Sequence, residues 1–204
     1  IKKLKEYGYK FIGPEIGEMA CGEYGEGKLS EPKNIILFLE KYFSNIKNNK
    51  KFKALVTAGP TIEPIDPIRF LSNHSSGKQG YEIAKSLSDN GFDTTLISGP
   101  TNITEPENVN TIKVSSADQM YAETIKRLPV DVAIFSAAVS DYKIKNYSKQ
   151  KIKKSNNMFI NFELNKDILK YVSENNYLRP KIVVGFAAET NDINLNAKYK
   201  LNKK

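Results

Sequence analysis

At 204 residues, with 40% hydrophobic and 10% aromatic residues, the chain has material for one α/β domain of ordinary size plus an appendage. No apolar run approaches the roughly 20 residues of a membrane helix, and a single cysteine with a single histidine excludes a disulfide framework and a structural zinc site, so a soluble, cytoplasmic protein is expected. The net charge of +8 rests on Lys, with only Arg69, Arg127 and Arg179 carrying the guanidinium forks that base-reading surfaces use, so anionic small molecules rather than nucleic acid are the expected partners.

Residues 1–43 combine a glycine-rich turn region, Ile12 to Pro32, with a short apolar helix candidate, Ile35 to Phe43. Ser44 to Lys51 reads SNIKNNKK, a polar linker, and the main domain is expected over 52–204. Ala54 to Thr57 is an apolar strand, Tyr81 to Asn90 a helix stopped by Gly91, and Thr94 to Ser98 a second strand. Ser116 followed by Gln119 has capping-box spacing, and Val130 to Ala137 is the nearly unbroken apolar run of a central parallel strand. Residues 158–163 alternate as an antiparallel or edge element; a helix over 167–175, a strand from Lys181 to Phe186 and a last helix from about Asn191 follow. This alternation predicts an α/β, Rossmann-like three-layer domain with a mostly parallel sheet. The chain opens at Ile1 without Met and stops at Lys204 inside a Lys-rich helical pattern, so a fragment of a longer protein is expected.

In an open parallel sheet, ligands bind beyond the carboxyl ends of the strands. Three unusual strings follow strands here: AGPTIEPIDPIRFLSNHSSGKQG after the first, SAAVSDY after the fourth and GFAAET after the last. The first is restricted by Pro60, Pro64 and Pro67 and ends in Ser75-Ser76-Gly77-Lys78-Gln79-Gly80 at the mouth of a helix. Free backbone N–H groups and the helix dipole favour a phosphate or carboxylate there; the alternative is a plain Ser76 N-cap. A P-loop is excluded because Ser72 and Gln79 stand where Gly and Ser or Thr are required, and no GxGxxG turn follows the first strand. Tyr147 and Lys151 have the spacing of the short-chain dehydrogenase pair, but lie in a polar stretch without the matching glycine turn.

Val56-Thr57-Ala58-Gly59-Pro60-Thr61, Glu63 to Pro67 and Arg69 to Lys78 together closely resemble the phosphopantothenate–cysteine ligase family. Ala137 to Tyr142, Lys151-Ile152-Lys153-Lys154 and Val184 to Thr190 fit that family's order and spacing. Upstream, Ala20 to Lys28, with Cys21, resembles the substrate clamp of phosphopantothenoylcysteine decarboxylases. The resemblance covers nearly the whole chain. It implies the bifunctional order of decarboxylase tail, linker and ligase, with a flavin-binding core before Ile1 and further ligase elements beyond Lys204.

The same resemblance implies a two-step ligation. The phosphopantothenate carboxylate attacks the α-phosphate of CTP in the presence of Mg²⁺, and cysteine then displaces CMP from the acyl-cytidylate. FMN-dependent decarboxylation would follow in the full-length protein, with Cys21 as proton donor. By motif position, Asn73 holds the reacting carboxyl end and supports turnover, with Arg69, Ser76 and Gly77 also on phosphopantothenate. Lys151 closes over the triphosphate. The CTP site takes Phe135, Ser136, Ala137 and Asp141 after the fourth strand, and Lys166, Asp167, Ile168 and Leu169 at a helix start. Phe186, Lys200 and Lys204 complete it, and no metal ligand is assigned. Where the family has Asn-Pro-Asp this chain has Asn165-Lys166-Asp167, a tolerable exchange at a first helical turn. Lys153 and Lys154 read as solvated, and His74 as part of the turn into the helix. Ligase dimers tied to decarboxylase trimers are the implied assembly. The rivals are a nicotinamide oxidoreductase, which lacks its glycine turn and its acidic ribose partner after Ile97, and a non-catalytic regulatory relative, against which Cys21 and the intact ligase motifs stand.

Overall fold

A computed structural model describes residues 2–18, 22–47, 52–155, 157–175, 177–188 and 191–203. It divides into two units, Ile1–Lys51 and Phe52–Lys204. The first holds α1 (Lys2–Glu6), an antiparallel hairpin of β1 (Glu15–Glu18) and β2 (Tyr24–Lys28), and α2 (Pro32–Lys47). Proline opens α2 because a first-turn position needs no N–H donor, and the Glu31 carbonyl accepts from Asn34 N and Ile35 N. The helix therefore starts before the expected Ile35 and runs through 44–47, half of the stretch read as linker. Cys21 lies outside the described residues.

The second unit contains β3 (Lys53–Ala58), β4 (Ile62–Pro64), β5 (Phe70–Ser72), α3 (Lys78–Asp89), β6 (Asp93–Ser98), β7 (Asn110–Lys113) and α4 (Ala117–Arg127). It continues with β8 (Val132–Phe135), β9 (Tyr142–Ile144), β10 (Phe162–Leu164), α5 (Ile168–Glu174), β11 (Ile182–Gly185) and α6 (Ile193–Lys203). Five strands form a parallel sheet in the order β11-β8-β3-β6-β7. Successive side chains of a strand face opposite ways, so β3 feeds two cores. Leu55 joins Ile97, Met120, Ala133, Phe135, Ile168 and Val172 on the face covered by α4 and α5. Val56 and Ala58 join Leu96, Tyr81 and Ala84 on the face covered by α3. Helix α3 lies very close to β3: a Cβ on Gly80 would come within 2.5 Å of Ala58 Cβ.

The three-layer, mostly parallel architecture is as expected, and the differences are local. Helix α3 starts at Lys78, not Tyr81, because Gly77 takes a left-handed backbone (φ 76°) that lets the helix begin inside the Ser/Gly string. Helix α4 is capped as its spacing suggests: Ser116 Oγ accepts from Gln119 N, while Gln119 Oε1 accepts from Ser115 N. Strands β4 with β5 and β9 with β10 make two short antiparallel pairs; β10 overlaps the antiparallel element expected over 158–163, while β4, β5 and β9 come from segments read as loop. Among the described residues no helix is long and apolar enough to cross a membrane.

Candidate functional site

Strands β6 and β7 lie on one side of β3, and β8 and β11 on the other. The chain therefore reverses its direction of winding between β3 and β8, and the two loops leaving their carboxyl ends must diverge or be joined. Here they are joined. Ser136 N donates to Thr57 O at 3.2 Å, Ala138 N to Gly59 O at 2.9 Å and Thr61 N to Ala138 O at 3.3 Å. Thr57 Oγ1 accepts from Ala137 N at 3.3 Å and the buried Thr61 Oγ1 from Ser140 N at 3.0 Å. The Gly-Pro-Thr string and the Ser-Ala-Ala string thus form one polar floor.

Asn73 stands on this floor. Its Nδ2 donates to Ala138 O at 3.1 Å while the residue stays exposed, and the neighbouring Ser72 Oγ donates to Thr61 O at 2.8 Å. His74, next in the chain, is exposed. The N-cap of α3 is Gly77, not Ser76, and no side chain caps it. Ser76 Oγ instead accepts from Lys78 N, and Ser75 Oγ from Gly77 N, both at 3.3 Å. A first turn without a side-chain cap keeps donors for an anion. Any residue larger than glycine at 77 would also strike Thr101, whose Cγ2 lies 2.7 Å from the Cβ position.

Thr101 belongs to a network that the sequence reading missed. The buried Tyr81 hydroxyl donates to Ser98 Oγ at 3.0 Å and accepts from Thr101 Oγ1 at 3.0 Å and Lys113 Nζ at 2.8 Å. Burial alone would push the phenol up, but the hydrogen bonds it accepts from Lys113 and Thr101, with the Lys113 charge, outweigh it and hold Tyr81 below its ordinary value. These residues are scattered over α3, β6, the loop after β6 and β7, so no spacing announces them.

Arg69 and Lys151 meet at a second place. They line an open cleft of about 560 Å³ with Ile152, Lys153, Lys154, Ser155 and Met158. Lys153 and Lys154 are therefore cleft residues as well as solvated ones. Arg69 does not reach freely into this cleft. Its Nε and Nη2 bond Asp66 Oδ2 at 3.0 and 2.5 Å, and Nη2 also donates to Ile152 O at 2.9 Å, leaving Nη1 against Met158 Sδ at 3.5 Å. Asp66, absent from the sequence-derived set, has a fully buried side chain. The Arg69 guanidinium holds its carboxyl well below the usual carboxylate range despite burial, helped by the N–H groups of Ile68, Arg69 and Ile152.

Besides Lys151, the residues assigned to CTP divide into four groups. Ser136, Ala137 and Asp141 lie in the floor loop, and Asn165 joins it from the far side: its N donates to Asp141 O at 2.8 Å and its Nδ2 to Ser140 O at 2.9 Å. The side chains of Phe135 and Ile168 are in the core and Leu169 packs against it, so they support the floor from below instead of presenting side chains to a ligand. Asp167 caps α5 by accepting from Lys170 N at 2.9 Å, and Lys166 Nζ sits 4.5 Å from the Tyr121 ring centroid. Phe186 is half exposed just past β11, Lys200 is exposed on α6, and Lys204 lies outside the described residues. Among the described residues no group of three or more His, Cys, Asp or Glu is placed to hold a metal ion.

Residues 49–204 match the family model described as the DNA/pantothenate metabolism flavoprotein C-terminal domain. The coenzyme A biosynthesis bifunctional protein CoaBC of Haemophilus influenzae is 42% identical over 203 residues, covering 98% of this chain and 50% of that protein. Its counterpart in Borreliella burgdorferi is 43% identical over 209 residues, covering 100% and 53%. The chain thus spans about half the length of the curated relatives it matches. The solved structure of the C-terminal domain of a CoaBC protein superimposes with a TM-score of 0.65 at 40% identity, over 74% of this chain and 72% of that one. With a fold, a motif order and a family model that coincide over the same residues, the chain belongs to the DNA/pantothenate metabolism flavoprotein family and groups with its CoaBC members.

Proposed function

We propose that the chain carries the CTP-dependent phosphopantothenate–cysteine ligase step of coenzyme A biosynthesis. The observation that carries this reading is the joined floor at the switch point, with the exposed Asn73 amide bonded to Ala138 O beside an uncapped helix start at Gly77. A carboxylate oxygen of phosphopantothenate attacks the α-phosphorus of CTP, and the bond to the β-phosphate oxygen breaks to release pyrophosphate. The cysteine nitrogen then attacks the acyl carbon, loses a proton, and the bond to CMP breaks. Neither step needs a nucleophilic side chain; both need positive charge and oriented dipoles where oxygen charge accumulates.

Asn73 suits the reacting carboxyl group because an amide both donates and accepts. The Gly77 helix start suits an anionic end of either reactant. Lys151 stands beside Arg69 in a cleft rich in cations and is assigned to the triphosphate. Main-chain groups of Ser136 and Ala137, with Asp141 and Lys166, are assigned to the nucleotide, and Lys200 and Lys204 to its outer part. Mg²⁺ is commonly held by one or two carboxylates together with phosphates; Asp141 is the exposed carboxylate of these loops, and the ion would neutralise phosphate charge. In the full-length protein the Cys21 segment is assigned to an FMN-dependent decarboxylation of the product. A cytoplasmic homo-oligomer with ligase dimers and decarboxylase trimers completes the proposal.

The test is pyrophosphate release by the full-length protein with CTP, Mg²⁺, phosphopantothenate and cysteine. ATP in place of CTP and omission of phosphopantothenate serve as controls. Release that requires both CTP and phosphopantothenate is expected. Silence under these conditions would replace the ligase with a non-catalytic binding protein on the same fold.

A further inference from the structure

The segment bearing Lys151 is fastened at two points to the turn between β4 and β5. Ser148 N donates to Ile65 O at 3.1 Å, and Ile152 N to Asp66 Oδ2 at 3.1 Å. Between these ties the chain forms a short arch, closed by Ser148 Oγ donating to Gln150 O at 2.7 Å, and Lys151 is its last free residue. Arg69 Nη2 takes the other side of the same residue through Ile152 O. Asp66 joins Arg69 to the far end of the arch. Its Oδ1 accepts from Ile68 N and Arg69 N, which closes the local turn; its Oδ2 accepts from Arg69 Nε, Arg69 Nη2 and Ile152 N. A turn needs only the first oxygen. The second is aimed at a residue 86 positions away in the chain, and a buried carboxylate so surrounded by donors has a single favourable arrangement.

We propose that Asp66 is a positioning residue for ligation, joining Arg69 and the Lys151 arch into one rigid piece so that their cleft offers two cations at a fixed separation. This rests on the ligase reading above. Arg69 retains a binding edge in this arrangement. Nη1 faces only the Met158 sulfur among the described residues, a weak acceptor that a phosphate or carboxylate oxygen displaces without disturbing Nε or Nη2. Anion binding and arch position are then coupled through one guanidinium.

The experiment uses Asp66→Asn in the full-length protein. Asparagine keeps the shape but removes the charge and half of the acceptor capacity. We expect kcat for pyrophosphate release to fall about 10- to 100-fold, the scale of a small misplacement of a reacting group, with a smaller change in KM for CTP. In a Lys151→Gln background the same substitution should cost clearly less than in the wild type, because part of its effect passes through that lysine. Trypsin cleavage at Lys149, Lys151, Lys153 and Lys154, mapped by mass spectrometry on folded protein, should accelerate several-fold. Full additivity with Lys151→Gln, or unchanged cleavage and kcat, would overturn the proposal. If Asp66→Asn fails to fold, Arg69→Lys serves instead: a lysine ends short of the Nη2 position that bonds both Asp66 and Ile152 O and has no Nε donor, so faster cleavage in the arch is again expected, and unchanged cleavage overturns the proposal. Wild-type protein that is silent with CTP and phosphopantothenate sinks the ligase reading; a working wild type with unaltered cleavage in the variants sinks the positioning role alone.

Discussion

In the middle of the sheet, Leu55, Val56, Leu96 and Ile97 are fully buried and divide between two apolar cores. Just past Ala58 and Phe135, the same strands continue into loops held by hydrogen bonds, most of them to main-chain atoms. The two regions fail differently. Apolar packing is non-directional, so damage to the sheet is spread over the fold and appears as lost stability. Hydrogen bonds are directional, so damage to the loops changes where a few atoms point while the fold survives.

The sharpest way to break this contrast is to truncate each region in turn. Leu55→Ala should cost about 2–5 kcal/mol of unfolding free energy, read by urea denaturation, with residual folded protein still turning over at an undiminished kcat. Asn73→Asp should do the reverse: turnover falls about 100-fold, or ~2.7 kcal/mol in barrier, while unfolding free energy stays within about 0.5 kcal/mol of wild type. A loss of stability that matched the loss of turnover would show that the floor and the core are one energetic unit. Gly80→Ala probes the boundary, since its methyl would press on Ala58 at 2.5 Å. It should destabilise by about 1–3 kcal/mol and also weaken substrate binding by shifting the start of α3. The smallest effect belongs to Ser116→Ala, which removes the hydroxyl that receives Gln119 N and should cost ~1 kcal/mol with no change in turnover.

The same contrast explains what was legible in the sequence. Strands β3, β6 and β8 are buried on both faces or nearly so, and their apolar runs stand out from polar surroundings. Edge strand β7, Asn-Thr-Ile-Lys, has no such run and passes as loop. The three-residue strands β4, β5 and β9 are too short for any period to show. Helix α2 enters a stretch whose composition reads as linker, which composition alone cannot reveal. Asn73 and Lys151 could be given roles only because their motifs resemble a known family, whereas the string around Gly77 marked a helix start by itself. Arg69 was singled out for the substrate alone, and its bonds to Asp66 and Ile152 were invisible because Ile152 lies far along the chain. Asp66 itself left a faint signal, an acid three residues before an arginine in a proline-bracketed turn.

The floor of the site joins Thr57, Gly59 and Thr61 to Ser136, Ala138 and Ser140, and at every one of these joints at least one partner is a peptide N–H or C=O. Asn73 too rests on a peptide oxygen. A peptide group is the same whichever amino acid carries it, so a change at Ala138 calls for no answering change at Asn73. Contacts inferred from correlated substitution will therefore register the sheet and pass over the floor. Of the polar ties described, the Asp66–Arg69 pair and the bonds of Tyr81 to Ser98, Thr101 and Lys113 join side chain to side chain, and it is there that such covariation should be sought first.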